Sequence, residues 1–194
     1  VEGGLVGWGA IPENIFSDTF TNTNGILIVW VHSADEGGGW EMLTWGDGGS
    51  YQVVWNWLQK VNSNTTHIYP DLSIPLSKAD YNISFIIEDF SGGQITNYLR
   101  YIDEDNYYRL DLSWGWYQII RRLWGENSVF QNINETITIG SSIYFGVSWN
   151  GLVLRINQIE KENIIGWWIN DIGIPVLSLQ NSGARVDNYR LNYR

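Results

Sequence analysis

A regular alternation of apolar and polar residues over residues 81–122 limits this chain to a β-sheet fold. Two runs in this stretch carry large apolar side chains at every second position, namely Ile83, Phe85 and Ile87, and then Tyr108, Leu110 and Leu112. A period of two indicates strands with one buried face. Before the second run, residues 103–106 read Asp-Glu-Asp-Asn, a composition that favours a tight turn. The stretch therefore predicts an antiparallel hairpin against which other strands pack.

Turn signals recur along the rest of the chain. Asn24-Gly25 and Asn150-Gly151 each separate two strand-like runs, and Asn-Gly is the preferred sequence for a two-residue hairpin turn. No segment has the period of a helix longer than a turn or two. Many short strands bounded by turns predict an all-β, antiparallel two-sheet sandwich.

Four other segments are predicted to form two strands, a loop and a connection. Residues 51–61 are predicted to form one strand, and residues 185–193 the last strand of the sandwich. Residues 126–142 are predicted to be a polar loop that contains a short strand at 133–139. The charged run at 158–163 is predicted to be an exposed connection.

Three segments resemble one family of β-sandwiches. The run LRYIDEDNYYRLDLS at residues 99–113 is similar to the central hairpins of concanavalin A-like (LamG-type) jelly rolls. The sequence F-x-D-x-F at residues 16–20 resembles their opening strand, and residues 184–191 resemble their closing strand. The resemblance implies a jelly-roll sandwich over residues 15–194. It leaves the function open, because this fold hosts lectins, sugar-binding modules, glycosidases and adhesion domains.

Composition excludes several classes of function. The net charge of −10 leaves no basic surface for nucleic acid, and the absence of cysteine excludes disulfides and cysteine-bound zinc. No apolar run approaches the roughly 20 residues that a membrane helix needs. The first residue, Val1, is typical of a mature secreted protein, so we expect an extracellular or cell-surface location. Asn64, Asn82 and Asn134 are candidate N-glycosylation sites.

The N-terminal segment suggests self-assembly. Residues 1–14 precede a sandwich that is complete without them, and they form an apolar extension. Its candidate interface residues are Leu5, Val6, Trp8, Ala10 and Ile11. Ordering such a segment costs about 1–2 kcal/mol per residue, so it needs a surface to pack on. The leading hypothesis is a non-enzymatic subunit that donates this strand to the next copy and forms a filament. In plan it is similar to the thread and pilus subunits of thermophilic archaea.

The alternative hypothesis is a carbohydrate-binding module or lectin-like domain. The chain has 12 Trp and 11 Tyr, more aromatic side chains than one core readily absorbs. The candidate sugar-binding residues are Tyr107, Arg109, Trp114, Trp116 and Trp124. The structural alternative is that Trp114 and Trp116 close the end of the sandwich.

We expect no enzymatic activity and no certain cofactor. A jelly-roll glycosidase needs two facing carboxylates. Glu41 is the best candidate, with Glu88 or Glu162 as a partner, and no motif links them. Asp103 and Asp105 are candidate ligands for a structural calcium ion, but their spacing does not match a full EF-hand loop, and an ordinary acidic turn is the favoured interpretation.

Overall fold

The computed structural model describes residues 14–21, 34–43, 51–61, 67–72, 76, 80–148, 151–165, 169 and 172–193. These residues form fifteen strands and no helix. The strands are β1 (Asn14–Asp18), β2 (Gly38–Met42), β3 (Tyr51–Val54), β4 (Trp57–Lys60), β5 (Ile68–Leu72), β6 (Tyr81–Asp89), β7 (Ile95–Asp103), β8 (Asn106–Ser113), β9 (Trp116–Leu123), β10 (Glu126–Asn134), β11 (Ser142–Ser148), β12 (Gly151–Ile156), β13 (Ile159–Ile165), β14 (Ile174–Leu179) and β15 (Arg185–Tyr193).

The strands pair into two antiparallel sheets. Sheet 1 has the order β13-β12-β11-β6-β15-β4-β3, and β1 pairs with β15 beside this path. Sheet 2 has the order β10-β9-β8-β7-β14-β5-β2. The predicted all-β two-sheet sandwich is confirmed. The predicted hairpin is also confirmed, because β7 and β8 pair around a turn at residues 104–105.

The core lies between the sheets and is rich in aromatic rings. The predicted opening strand is β1, and its Phe16 ring packs edge-on against Trp40 at 5.2 Å between centroids. The Trp40 ring also contacts Tyr189 of β15 at 5.1 Å. The buried carboxylate of Asp18 accepts hydrogen bonds of 2.7 Å from Trp40 Nε1 and from the Phe20 amide. The F-x-D-x-F sequence therefore joins the opening strand to the core.

A buried tyrosine links the two sheets. The Tyr81 hydroxyl donates a hydrogen bond to the Gly173 carbonyl (2.9 Å) and accepts one from the Arg100 amide (2.6 Å). Tyr81 is fully buried on β6 of sheet 1, and Arg100 lies on β7 of sheet 2. Because buried amides and carbonyls need partners, this hydroxyl is part of the fold itself.

Three sequence interpretations were wrong, and all concern edges of the sheets. Residues 51–61 form two strands joined by the turn Trp55-Asn56, whose residues both have positive φ. Most of the predicted loop at 126–142 is strand β10, and the predicted connection at 158–163 mostly belongs to strand β13. β10 and β13 are edge strands whose side chains are mostly polar or exposed, so neither shows the regular apolar alternation that marks a strand in sequence.

The last strand and the second predicted hairpin are present in the structure. The last strand, predicted at 185–193, matches β15, and β11 pairs with β12 as the second predicted hairpin. The predicted Asn24-Gly25 hairpin lies outside the described residues. No helix among the described residues is long and apolar enough to cross a membrane.

Candidate functional site

The outer face of sheet 1 carries a row of polar side chains that crosses five strands. On four of these strands, β15, β6, β11 and β12, the alternate residues are buried between the sheets, so the polar ones point outward. In order across the sheet, the register aligns Arg190, Ser84, Tyr144, Arg155 and Glu160. We call these five residues the polar row. Strands are about 4.8 Å apart, so the row spans roughly 19 Å.

A pocket of about 440 Å³ opens on this row. Its lining residues are Ser84, Ser142, Ile143, Tyr144, Arg155 and Gln158. The volume is within the range of about 300–1,000 Å³ that is typical of small-molecule sites. The lining combines one aromatic ring with hydroxyl, amide and guanidinium donors, a combination that suits a hydroxyl-rich ligand with an apolar ring face.

A two-residue turn forms one wall of the pocket. Asn157 and Gln158 join β12 to β13, and both have positive φ, as hairpin turns require. The side-chain oxygen of Asn157 accepts a hydrogen bond from the backbone amide of Ser142 (2.9 Å), and the backbone amide of Asn157 donates one to the Ser142 carbonyl (2.9 Å). This pair of bonds fixes the turn beside β11 and places Gln158 at the pocket.

The Tyr144 ring lies close to the sheet because residue 146 is glycine. A Cβ atom at Gly146 would be 3.1 Å from Cε1 and 3.3 Å from Oη of Tyr144. It would also be 3.3 Å from Cβ of Asn82. These distances are shorter than the 3.5–4.0 Å of an ordinary carbon contact, so glycine makes room for the ring.

Arg155 is held beside the ring from the next strand. Its guanidinium carbon is 5.1 Å from the centroid of the Tyr144 ring, within the range of a cation–π contact. On its other side, Nη2 is 3.4 Å from Oε2 of Glu160. The Arg155 and Glu160 side chains are both more than a quarter exposed, so water screens this ion pair and it contributes little to stability.

A second row, rich in amides, runs beside the polar row. The register aligns Asn192 with Asn82, and Val153 with Asn163. The Asn82 and Asn192 side chains exchange long hydrogen bonds of 3.4 Å, one of them to the Asn192 carbonyl. Asn82 is 2% exposed, so in this row only the end residues Asn192 and Asn163 are accessible to a ligand.

Two carboxylates lie farther along the same face. Burial and the neighbouring Asp187 raise the pKa of Glu88, while Arg185 opposes the rise. Burial also raises the pKa of Asp187. Neither residue lines the pocket.

Tyr107 and Arg109, two of the predicted sugar-binding residues, lie on the outer face of sheet 2. Tyr107 is 7% exposed, and its ring contacts Tyr98 at 5.0 Å and Tyr101 at 5.9 Å between centroids. Arg109 forms a 2.9 Å ion pair with Asp111. Burial raises the pKa of Asp111 although Arg109 opposes the rise. Both predicted residues are therefore engaged in contacts within the sheet.

The three predicted tryptophans do not share one surface. Trp114 is in the turn before β9 and is 61% exposed, whereas Trp124 is in the turn after β9 and is 82% exposed. An eight-residue strand separates the two turns, so they are roughly 25–30 Å apart. Trp116 is half-buried at the first residue of β9. The expected platform of Trp114, Trp116 and Trp124 is not assembled.

The candidate glycosidase carboxylates point in different directions. Glu41 is on the outer face of sheet 2, where it pairs with Tyr69. Glu88 is on the outer face of sheet 1, and Glu162 accepts a 2.9 Å hydrogen bond from the Tyr117 hydroxyl between the sheets. None of the three faces another across a groove.

The calcium candidates already serve the β7–β8 turn. Asp103 Oδ1 accepts bonds of 2.9 Å from the Asp105 amide and from Asn106 Nδ2. Asp105 pairs with Arg122 at 3.0 Å. Within the described ranges, no three His, Cys, Asp or Glu residues converge as metal ligands. Calcium binding at Asp103 and Asp105 stays a prediction.

Two of the three sequons can be placed. Asn134 is exposed at the end of β10, where a glycan has room. Asn82 is 2% exposed, and its amide nitrogen faces the Asn192 carbonyl, so the folded chain does not present it to an enzyme. Asn64 and the predicted strand-donation residues, Leu5 to Ile11, lie outside the described residues.

Tyr144, Arg155 and Gln158 were not among the predicted site residues. They could have been found from the sequence only if the register of the second hairpin had been known, because that register decides which residue faces Tyr144. An Asn150-Gly151 turn would place Tyr144 opposite Asn157, but the pairing ends at Ser148 and Gly151, so Tyr144 faces Arg155.

Comparisons with known proteins support the fold. Neither a family model nor a curated protein matches the sequence. Among solved structures, the chain is similar to the carbohydrate-binding module CBM66 from Bacillus subtilis. The TM-score is 0.63 at 13% identity, over 80% of this chain and 96% of that one.

Two further solved structures agree. Domain 4 of AbnA, a GH43 extracellular arabinanase from Geobacillus stearothermophilus in complex with arabinotriose, has a TM-score of 0.64 at 14% identity. That match covers 94% of this chain and 93% of that one. The carbohydrate recognition domain of Emp46p has a TM-score of 0.53 at 10% identity, over 79% and 87% of the two chains. The fold is a concanavalin A-like jelly roll. At these identities, the likeness of this jelly roll to its neighbours concerns the fold alone.

Proposed function

We propose that this jelly roll is a non-catalytic carbohydrate-binding module that binds glycans at the pocket on the outer face of sheet 1. One observation carries the proposal: a pocket of about 440 Å³ lined by Tyr144, Arg155, Gln158 and two serines. The Tyr144 ring offers an apolar surface for a sugar ring, and the surrounding groups offer donors to its hydroxyls.

The solved structures support this reading over self-assembly. One similar chain is described as a carbohydrate-binding module, another was solved with arabinotriose, and a third is described as a carbohydrate recognition domain. Those descriptions belong to those proteins. They motivate the test of glycan binding by this chain.

The test is a glycan array probed with the wild-type chain and two variants. Tyr144→Ala removes the proposed stacking surface, and Trp114→Ala removes an exposed aromatic ring far from the pocket. Burying an aromatic side chain is worth about 1.5–3 kcal/mol, so Tyr144→Ala is expected to weaken binding at least about tenfold. Trp114→Ala is expected to bind like wild type. Loss of binding in Trp114→Ala alone would place the site at the predicted tryptophans, and no binding to any glycan would refute the proposal.

Self-assembly through residues 5–11 remains a prediction, because the segment lies outside the described residues. Deletion of residues 1–12 tests it. Assembly predicts fibres in negatively stained wild-type samples and monomers after the deletion. Assemblies that persist unchanged after the deletion would contradict it.

A secreted location is likewise a proposal, in keeping with the exposed sequon at Asn134. Recovery of the native protein from the culture medium or cell surface would support it, and recovery from the cell interior alone would contradict it.

A further inference from the structure

The lining of the pocket is electrostatically one-sided. Arg155 is the only charged residue among the six that line it. The other polar groups are two serine hydroxyls, one phenol and one amide, all of which can donate hydrogen bonds. In a chain with a net charge of −10, no carboxylate of the described residues lines this pocket. The lining therefore favours a ligand that accepts hydrogen bonds and carries negative charge.

Most of the hydrogen-bond donors of Arg155 are available to a ligand. A guanidinium has five N–H donors, and the hydrogen bond to Glu160 uses one of them at 3.4 Å. That distance exceeds the roughly 2.7–2.9 Å of a strong charge-assisted hydrogen bond. The Glu160 side chain is 44% exposed and also accepts a bond from Asn163 at 3.3 Å, so it is a weak competitor for the guanidinium.

The Tyr144 ring limits the movement of Arg155. The guanidinium lies over this ring at 5.1 Å, so less side-chain freedom is lost when a ligand binds. A planar guanidinium in a fixed position suits a planar carboxylate, which it can contact through two parallel hydrogen bonds.

A second cation stands on the other side of Ser84. Arg190 is exposed in the same polar row and forms no ion pair with the described residues. Three strand spacings separate the backbone positions of Arg155 and Arg190, or roughly 14 Å. A polymer that crosses the strands along this row meets both cations.

We propose that the pocket selects glycans that contain uronic acid, with the sugar carboxylate bound by Arg155 and the sugar ring placed against Tyr144. This inference rests on the proposed glycan-binding function and names its substrate class. Arg190 extends the contact to a further acidic residue of the same polymer.

The test compares matched pairs of polysaccharides on the full chain. Polygalacturonate, alginate and hyaluronan are each paired with the same polymer after reduction of its carboxyl groups to alcohols. Affinity electrophoresis at fixed ionic strength measures binding. At least one acidic polymer is expected to bind about tenfold or more tightly than its reduced partner, because hydrogen bonds to charged groups are the strong ones. A sulfated, carboxyl-free galactan serves as a further arm and is expected to bind more weakly.

Three variants assign the preference to residues. Arg155→Gln should abolish the preference for the acid form, and Glu160→Gln should preserve or increase it. Asn132→Ala is the control, an exposed change on β10 of the other sheet, and it should leave the preference for the acid form unchanged. Equal binding of acidic and reduced polymers through Tyr144 would overturn the uronic acid inference and leave the glycan-binding function standing. A stronger response to the sulfated galactan would also overturn it. No binding to any polymer or array glycan would refute both.

Discussion

Substitution of Gly146 moves the Tyr144 ring without removing any pocket residue. A Cβ atom at position 146 would be 3.1 Å from the ring, against an ordinary contact of 3.5–4.0 Å. In Gly146→Ala the ring must therefore move outward by about 0.5 Å. In Gly146→Val the added methyl groups occupy the space over which the ring now lies. We expect glycan affinity to fall about threefold for the alanine variant and about tenfold or more for the valine variant.

The stability of these variants is expected to change little. Replacing glycine with alanine reduces the freedom of the unfolded chain by about 0.4–1 kcal/mol, which favours folding. Displacing the ring from its preferred rotamer costs about 0.5–1.5 kcal/mol. The two effects nearly cancel for Gly146→Ala, so its Tm should stay within about 4 °C of the wild-type value.

Isothermal titration with the best glycan from the array, together with thermal denaturation, checks both expectations. Asn132→Val, at an exposed position on β10 of sheet 2, is the control for adding a β-branched residue to an outer face. A Gly146→Val variant that melts normally and binds with wild-type affinity would refute the role given to the Tyr144 ring.

Three further predictions concern the body of the sandwich. Lys60 is fully buried, and its Nζ has no hydrogen-bond partner among the described residues. Lys60→Met should raise the free energy of unfolding at neutral pH by about 1–3 kcal/mol in urea titrations, and an unchanged or lower value would contradict this. Burial lowers the pKa of Lys60 to about 8. The unfolded chain therefore binds the extra proton above that pH, and the advantage of Lys60→Met should shrink as the pH rises from about 7 to about 9. Tyr81→Phe leaves the Arg100 amide and the Gly173 carbonyl without this hydroxyl, and it should lower the free energy of unfolding by about 2–4 kcal/mol; a loss below 0.5 kcal/mol, roughly the range of a surface change, would contradict the link. Trp124 is exposed at a φ of 54°, so Trp124→Asn should raise thermal stability slightly and leave glycan binding unchanged, and a loss of binding would place Trp124 in the site.

The sequence predicts strands best where one face of the strand is buried. The alternation around Ile83 and Leu110 predicts β6 and β8 because burial imposes a period of two. The edge strands β10 and β13 were missed because most of their side chains are polar or exposed, and only Phe130, Ile133 and Ile164 pack against the core. The turn Trp55-Asn56 was missed because tryptophan is unusual at a position with positive φ.

The candidate site depends on pairings that a sequence does not show directly. Tyr144, Arg155 and Ser84 come from three strands, and only the register of β6, β11 and β12 aligns them. A change of turn by one position would pair Tyr144 with Asn157 instead. The role of Gly146 cannot be predicted from the sequence, because this residue acts only by leaving space for the Tyr144 ring on the same strand.

An NMR titration of the labelled chain with its best glycan tests the central claim most directly. Binding at the pocket predicts the largest amide shifts at Ser84, Tyr144, Arg155 and Gln158, on β6, β11, β12 and the turn after β12. Because none of the described tryptophans lines this pocket, the indole N–H signals of Trp114, Trp116 and Trp124 are expected to stay nearly fixed. Shifts confined to the indole and backbone signals of Trp114 and Trp124 and their turns, with the pocket residues unchanged, would contradict the account.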